Sequence, residues 1–184
     1  MRQNLTILLL IVSMIFMVVS CGSQTTDSTT TSAGTFDNPG GLTTDGTNLY
    51  IADTGSNLIR IVVISTGEAW TLAGSSTGAA GSSDGTGTSA LFNGPEGITL
   101  TGSNLYVADT GNNTIRKIVV STGEVTLFAG SSAGASGSTD GVGTASSFHS
   151  PSGITSDGTN LYVTDAGNNS VRKIVISTKS VTTL

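Results

Sequence analysis

The chain is short of most of the groups that chemistry requires. Its 184 residues include one cysteine, Cys21, and one histidine, His149. A single thiol excludes a disulfide framework, and a single histidine leaves zinc without its usual set of ligands. Charged residues make up 10% of the chain and aromatic residues 5%, and no long amphipathic helical stretch is visible. Basic residues are scarce, seven against twelve acidic, for a net charge of −5. Without Arg2 the balance is six against twelve, or −6. Counterion release on nucleic acid needs a dense positive surface, so the charge excludes a nucleic-acid partner. What the chain does have is glycine: 25 of them, beside three prolines. That composition describes a turn-rich, all-β chain long enough for one ordinary domain.

The first 20 residues are a processing signal. Arg2 supplies positive charge, and Leu5 to Val19 is a nearly unbroken apolar run of fifteen, short of the roughly 20 that span a bilayer. The run ends in Val18-Val19-Ser20-Cys21, which resembles a bacterial lipobox. That resemblance implies acylation of Cys21 and anchoring to a membrane, since two or more acyl chains hold a protein firmly on lipid. Gly22, rather than Asp, follows the cysteine, and the resemblance then implies an outer-membrane lipoprotein of the bacterial cell envelope. Residues 21–35 read as the lipidated cysteine and a disordered tether, because Gly22 to Thr35 has no apolar residue larger than Ala. Such a segment reaches on the order of 20 Å.

From Phe36 onward the chain repeats itself. Phe36, Phe92 and Phe148 are spaced by 56 residues, as are Pro39, Pro95 and Pro151. Between the first two units 32 of 56 positions are identical, which marks internal duplication. The units are 36–91, 92–147 and an incomplete 148–184. Four short strands are expected per unit, in the middle one Gly97 to Thr99, Leu105 to Asp109, Thr114 to Val120 and Glu124 to Ala129. Asp45-Gly46 and Asp157-Gly158 supply tight-turn chemistry between the first two strands, with Thr101-Gly102 a weaker version. Four-stranded antiparallel units in tandem are β-propeller blades. The pattern "NLYVADTGNNTIRKI" at Asn104, with copies at Asn48 and Asn160, resembles the NHL-repeat family of propellers. It departs from the family at Asn57-Leu58, Asn113-Thr114 and Asn169-Ser170, where the family commonly has His-Arg after Gly-Asn.

Three blades make a partial propeller, because rings close with about four to eight. Either two chains complete a six-bladed ring as a homodimer, or further blades lie outside this chain.

Candidate site residues repeat with the blades. Asp53, Asp109 and Asp165 end a strand beside a Gly-Asn turn; their expected role is to accept backbone N–H groups in the turn, helped by Asn57, Asn113 and Asn169. Identical residues in every blade usually serve the blade, whereas a reaction centre needs different groups converging on one point. Arg60, Arg116 and Arg172, joined by Lys117 and Lys173, either pair with repeat carboxylates or flank a strand at its solvated end. His149 occupies a variable lead-in position also held by Asp37 and Asn93. Asp84 and Asp140 sit in Asp-Gly turns, one carboxylate each, too few for calcium. No catalytic, metal or cofactor constellation follows from these residues. The expected function is a non-enzymatic binding or scaffold module for a protein, peptide or glycan. The rival is a fragment of a larger propeller enzyme, a metal-dependent lyase or lactonase-like hydrolase, with ligands from blades outside this chain.

Overall fold

A computed structural model describes residues 35–184; the leader, Cys21 and the tether up to residue 34 lie outside the described residues. Within them the chain forms three antiparallel sheets. The first contains β1 (Pro39–Thr44), β2 (Asn48–Asp53), β3 (Leu58–Val63) and β4 (Ala69–Ala73), paired in that order. The second contains β5 (Gly85–Thr86), β6 (Pro95–Thr101), β7 (Asn104–Asp109), β8 (Thr114–Val119) and β9 (Glu124–Ala129), in the order β5-β9-β8-β7-β6. The third repeats this plan with β10 (Gly141–Val142), β11 (Pro151–Ser156), β12 (Asn160–Asp165), β13 (Ser170–Val175) and β14 (Ser180–Thr183), in the order β10-β14-β13-β12-β11.

Four strands per blade is therefore a correction for the second and third sheets. Linker residues 85–86 pair with Val125 and Glu124, and 141–142 with Val181 and Ser180, adding a short fifth strand at each outer edge. The linker of one repeat thus belongs to the sheet of the next. The middle unit's first strand is longer than expected, beginning at Pro95 and ending at Thr101, because its proline starts the strand where no ladder donor is needed.

Local chemistry explains the turns. Asp45 Oδ1 accepts the backbone N–H groups of Thr47 (2.8 Å) and Asn48 (2.7 Å), and its Oδ2 accepts the Tyr50 hydroxyl (2.8 Å). Asp157 does the same with Thr159, Asn160 and Tyr162. These bonds to the ionised form hold both carboxyls well below their ordinary value of 3.8.

Blades pack face against face. The forward face of the first, with Tyr50, Ala52, Ile59 and Ile61, meets the rear face of the second, with Phe92, Ile98, Leu105, Val107 and Ile118. The forward face of the second, with Tyr106, Ala108, Ile115 and Phe128, meets Phe148, Leu161, Val163 and Ile174 of the third. A middle blade is thus buried on both sides, which is why β8 ends in the apolar pair Ile118-Val119, with Val120 following. The innermost strands β1, β6 and β11 lie side by side. They converge this closely only because of glycine: a Cβ on Gly41 would lie 2.8 Å from the Glu96 carbonyl oxygen, and one on Gly97 would lie 2.9 Å from the Ile154 nitrogen and closer still to the Ser152 carbonyl.

Gly97→Val is expected to destabilise the fold by about 1–3 kcal/mol, the usual cost of overpacking. Val at Gly46, where a Cβ meets nothing within 4 Å but φ is +89°, tests backbone strain separately. Urea unfolding of the two variants measures both.

Candidate functional site

The repeated aspartates, arginines and asparagines gather at one end of each blade, where the turn between its second and third middle strands meets the incoming linker. In the middle blade β7 ends at Asp109, a 3₁₀ turn covers Thr110–Asn112, and Asn113 takes the left-handed conformation at φ 56° before β8 begins. Asn tolerates that region at little cost. Gly111 is required for contact, since a Cβ there would come within 2.6 Å of the Asn93 side chain.

Asp109 is fully buried. Its Oδ1 accepts the backbone N–H of Asn93 at 2.8 Å, and its Oδ2 accepts the Asn112 side-chain amide at 2.7 Å and Arg116 Nη1 at 3.2 Å. This corrects the expected role. The carboxylate reaches the lead-in loop 16 residues earlier in the chain, not the backbone N–H groups of its own turn. Burial pushes the Asp109 carboxyl up, and the Asn112 amide, the Asn93 N–H and Arg116 draw it part of the way back.

Arg116 is 1% exposed, so the solvated-end alternative is overturned and the carboxylate-paired one describes the molecule. Nη1 also donates to the Leu91 carbonyl at 3.0 Å; Nη2 donates to the Ser83 carbonyl at 3.1 Å and to Asp84 Oδ1 at 2.7 Å. Its guanidinium lies 5.3 Å over the Phe92 ring. Arg172 repeats every contact, with Asp165 at 2.9 Å, Asp140 at 2.8 Å, the carbonyls of Ser147 and Thr139, and Phe148 at 5.0 Å. Asp84 and Asp140 are therefore ion-pair partners that fix the linker beyond forming its turn. The first blade is looser: Arg60 and Asp53 are 3.7 Å apart, and Ser56 stands where the other blades have Asn112 and Asn168. His149 is exposed, and its backbone N–H donates to Asp165 at 2.7 Å.

The asparagines join one blade to the next. Asn57 Oδ1 accepts the Gly94 N–H at 2.7 Å while its amide donates to the Gly78 carbonyl at 3.0 Å. Asn113 does the same with Ser150 at 2.9 Å and Gly134 at 3.0 Å. Beside them, the hydroxyls of Thr54 and Thr110 donate to the carbonyls of Pro95 (2.6 Å) and Pro151 (2.7 Å). Phe92, Phe148, Asn112, Asn168, Thr54 and Thr110 were not singled out as functional by sequence reasoning. Their recurrence at the 56-residue step, shared by Asp84 and Asp140, is the signal that marks them.

Around the innermost strands a cavity of about 360 Å³ is lined by Asn38, Gly40, Thr54, Glu96, Ser152 and neighbouring glycines. Gly40, Glu96 and Ser152 are equivalent positions, so the repeat varies there while its framework stays fixed. Among the described residues no group of three or more His, Cys, Asp or Glu stands close enough together to hold a metal ion.

Sheets in tandem, inner strands converging and every blade tied to its neighbour define a β-propeller repeat protein. The NHL repeat profile matches residues 92–118. NHL repeat-containing protein 2 from Bos taurus is 32% identical over 142 residues, covering 72% of this chain. The chain spans about a fifth of the length of the curated relatives it matches. A crystal structure of an auxiliary nutrient binding protein from Bacteroides ovatus ATCC 8483 shares 25% identity with a TM-score of 0.62, covering 76% of this chain and 35% of that one. A second auxiliary nutrient binding protein, from Bacteroides thetaiotaomicron VPI-5482, shares 25% identity with a TM-score of 0.62 over 75% of this chain and 35% of its own. The chain belongs to the NHL-repeat family.

Arg116→Ala is expected to cost about 3–5 kcal/mol, because it strands the Asp109 carboxylate in the interior. Arg60→Ala should cost clearly less, measured as the shift in urea midpoint. Acid should also unfold the protein. Asp45, Asp140 and Asp157 have depressed folded values, so their contribution is complete above about pH 4 and is lost as pH falls below it. Asp109, raised by burial, acts in the opposite sense. A Asp45→Asn, Asp157→Asn double variant should show a flatter decline in melting temperature between pH 5 and pH 2 than the parent.

Proposed function

We propose that the chain is a lipid-anchored NHL-repeat module at the bacterial cell envelope that binds or scaffolds and does no chemistry. The observation that carries this is how the repeated ionisable groups are used. Asp109, Asp165, Arg116 and Arg172 are buried and spend their hydrogen bonds on backbone and on one another, so none is free to move a proton or attack a substrate. The positions left for recognition are those that differ between blades, with Glu96 and Ser152 beside the inner cavity and Asp37, Asn93 and His149 in the lead-in loops. Glycine backbone, scattered polar side chains and a single carboxylate suit a neutral or weakly basic glycan or peptide. The likeness to auxiliary nutrient binding proteins supports binding as the activity. The lipobox-like end at Cys21 supports the membrane as its place, with an outer-membrane lipoprotein following from Gly22.

Expression of the full chain in a bacterium tests both parts. The parent should incorporate labelled fatty acid and partition into detergent, and Cys21→Ser should do neither; a variant that still partitions with lipid overturns the anchor. Titration of the chain with a glycan and peptide panel should find a ligand whose affinity falls about tenfold or more in Glu96→Ala, and stoichiometric zinc or calcium in the purified protein would favour the enzyme instead.

A further inference from the structure

Asn93-Gly94 is the one Asn-Gly pair in the sequence. The nitrogen of a glycine has no side chain beside it, so it can reach the carboxamide carbon of an asparagine that precedes it and close a five-membered imide. Here the pair stands in the lead-in to the second blade, where the first and third blades have Asp37-Asn38 and His149-Ser150.

Both reacting groups are engaged by neighbours. The Gly94 N–H, the nucleophile, donates to Asn57 Oδ1 of the first blade at 2.7 Å. The Asn93 carboxamide, the electrophile, lies against the bare backbone of Gly111, where a Cβ would come within 2.6 Å of its Cγ and 2.7 Å of its Nδ2. The Asn93 backbone is tied twice more, its N–H to Asp109 Oδ1 at 2.8 Å and its carbonyl to the Gly111 N–H at 2.8 Å. The bond is nevertheless open to water. Asn93 is only half-buried, and a Cβ on Gly94 would meet nothing within 4 Å. The restraints on Asn93 come from its own blade, whereas the one on the nucleophile comes from across the joint.

We propose that Asn93 is a deamidation site held unreactive by the Asn57 clasp, so that a local parting of the first and second blades starts the reaction. Once Asn57 lets go, the Gly94 nitrogen bonds to Asn93 Cγ, the Cγ–Nδ2 bond breaks, and the Gly94 proton leaves with Nδ2 as ammonia. Water then opens the imide at either carbonyl. Opening at one leaves aspartate, the residue that the first blade carries at Asp37. Opening at the other leaves isoaspartate, which puts the side-chain methylene into the main chain between residues 93 and 94 and draws the Gly94 N–H away from Asn57. The joint then cannot close as before, and a passing opening becomes a permanent mark. This inference is independent of what the propeller binds. The next joint supplies a control, because Asn113 there holds the Ser150 N–H at 2.9 Å beside His149, which has no carboxamide to react.

Incubation of the detergent-solubilised full chain at mildly alkaline pH, followed by mass spectrometry of the tryptic peptide 61–116, tests it. The folded parent should deamidate at Asn93 about tenfold or more slowly than the same chain in urea. Asn57→Ala should raise the folded rate about fivefold, as loss of one hydrogen bond raises the population of the open joint. Asn113→Ala strains an equivalent left-handed backbone, φ 56° against 57°, and removes the same bond one joint along, so it should leave the Asn93 rate unchanged. Equal acceleration by both variants would make unfolding of the whole domain the controlling step and overturn the proposal, as would a rate indifferent to Asn57→Ala. Should Asn57→Ala misfold, a parent that deamidates as fast folded as in urea overturns it equally.

Discussion

A buried arginine holds each complete blade to the chain that leads into it. Desolvating a guanidinium and a carboxylate costs several kcal/mol per ion unless geometry and further hydrogen bonds offset it. Arg116 meets that demand with two aspartates, two backbone carbonyls and an aromatic ring beneath it. Each partner comes from a different stretch of chain: the linker at Ser83 and Asp84, the lead-in at Leu91 and Phe92, and the strand end at Asp109. Pairing the two terminal nitrogens of one side chain thus fixes three segments at once, while its buried Nε has no partner among the described residues. The loose pair in the first blade, Arg60 and Asp53 at 3.7 Å, shows the same residues with fewer contacts.

Given that anchor, the division of labour along the repeat follows. Residues that recur without change are framework: aspartate, arginine and phenylalanine within a blade and asparagine between blades, with threonine beside the asparagine in the first two repeats and Ala166 in the third. Those that change, such as Gly40, Glu96 and Ser152, sit where the blades converge and face the inner cavity. A scaffold of this kind can alter what it recognises by exchanging one exposed residue per blade while leaving its packing alone.

Much of this was legible in the sequence, and what was not has a physical reason. The 56-residue period, the four long strands and the Asp-Gly turns are local, so composition and alternation report them. The fifth strands escaped because Gly85–Thr86 and Gly141–Val142 are two residues long inside a Gly/Ser/Thr linker with no apolar alternation to read. Burial of the arginines escaped because an isolated charge reads as surface, and apart from Asp109, seven residues back, the hydrogen-bonding groups that compensate Arg116 lie 25 to 33 residues away. The aspartate's role was read as too local for a related cause. Its nearest candidate backbone donors are in its own turn, while the backbone donor it uses is the N–H of a residue 16 positions earlier.

The linker strands also decide the order in which a blade can be finished. Residues 85–86 leave the ribosome well before 124–125, to which they pair, so the outermost edge of a blade is made first and waits for almost the whole of that blade to be synthesised. During that interval Asp84 has no guanidinium to meet. A module excised at the phenylalanines would leave its outer edge behind on the preceding piece, whereas a cut just after Gly81 would carry it along. The natural unit of duplication in space is therefore offset by about ten residues from the one that the eye picks out in the letters.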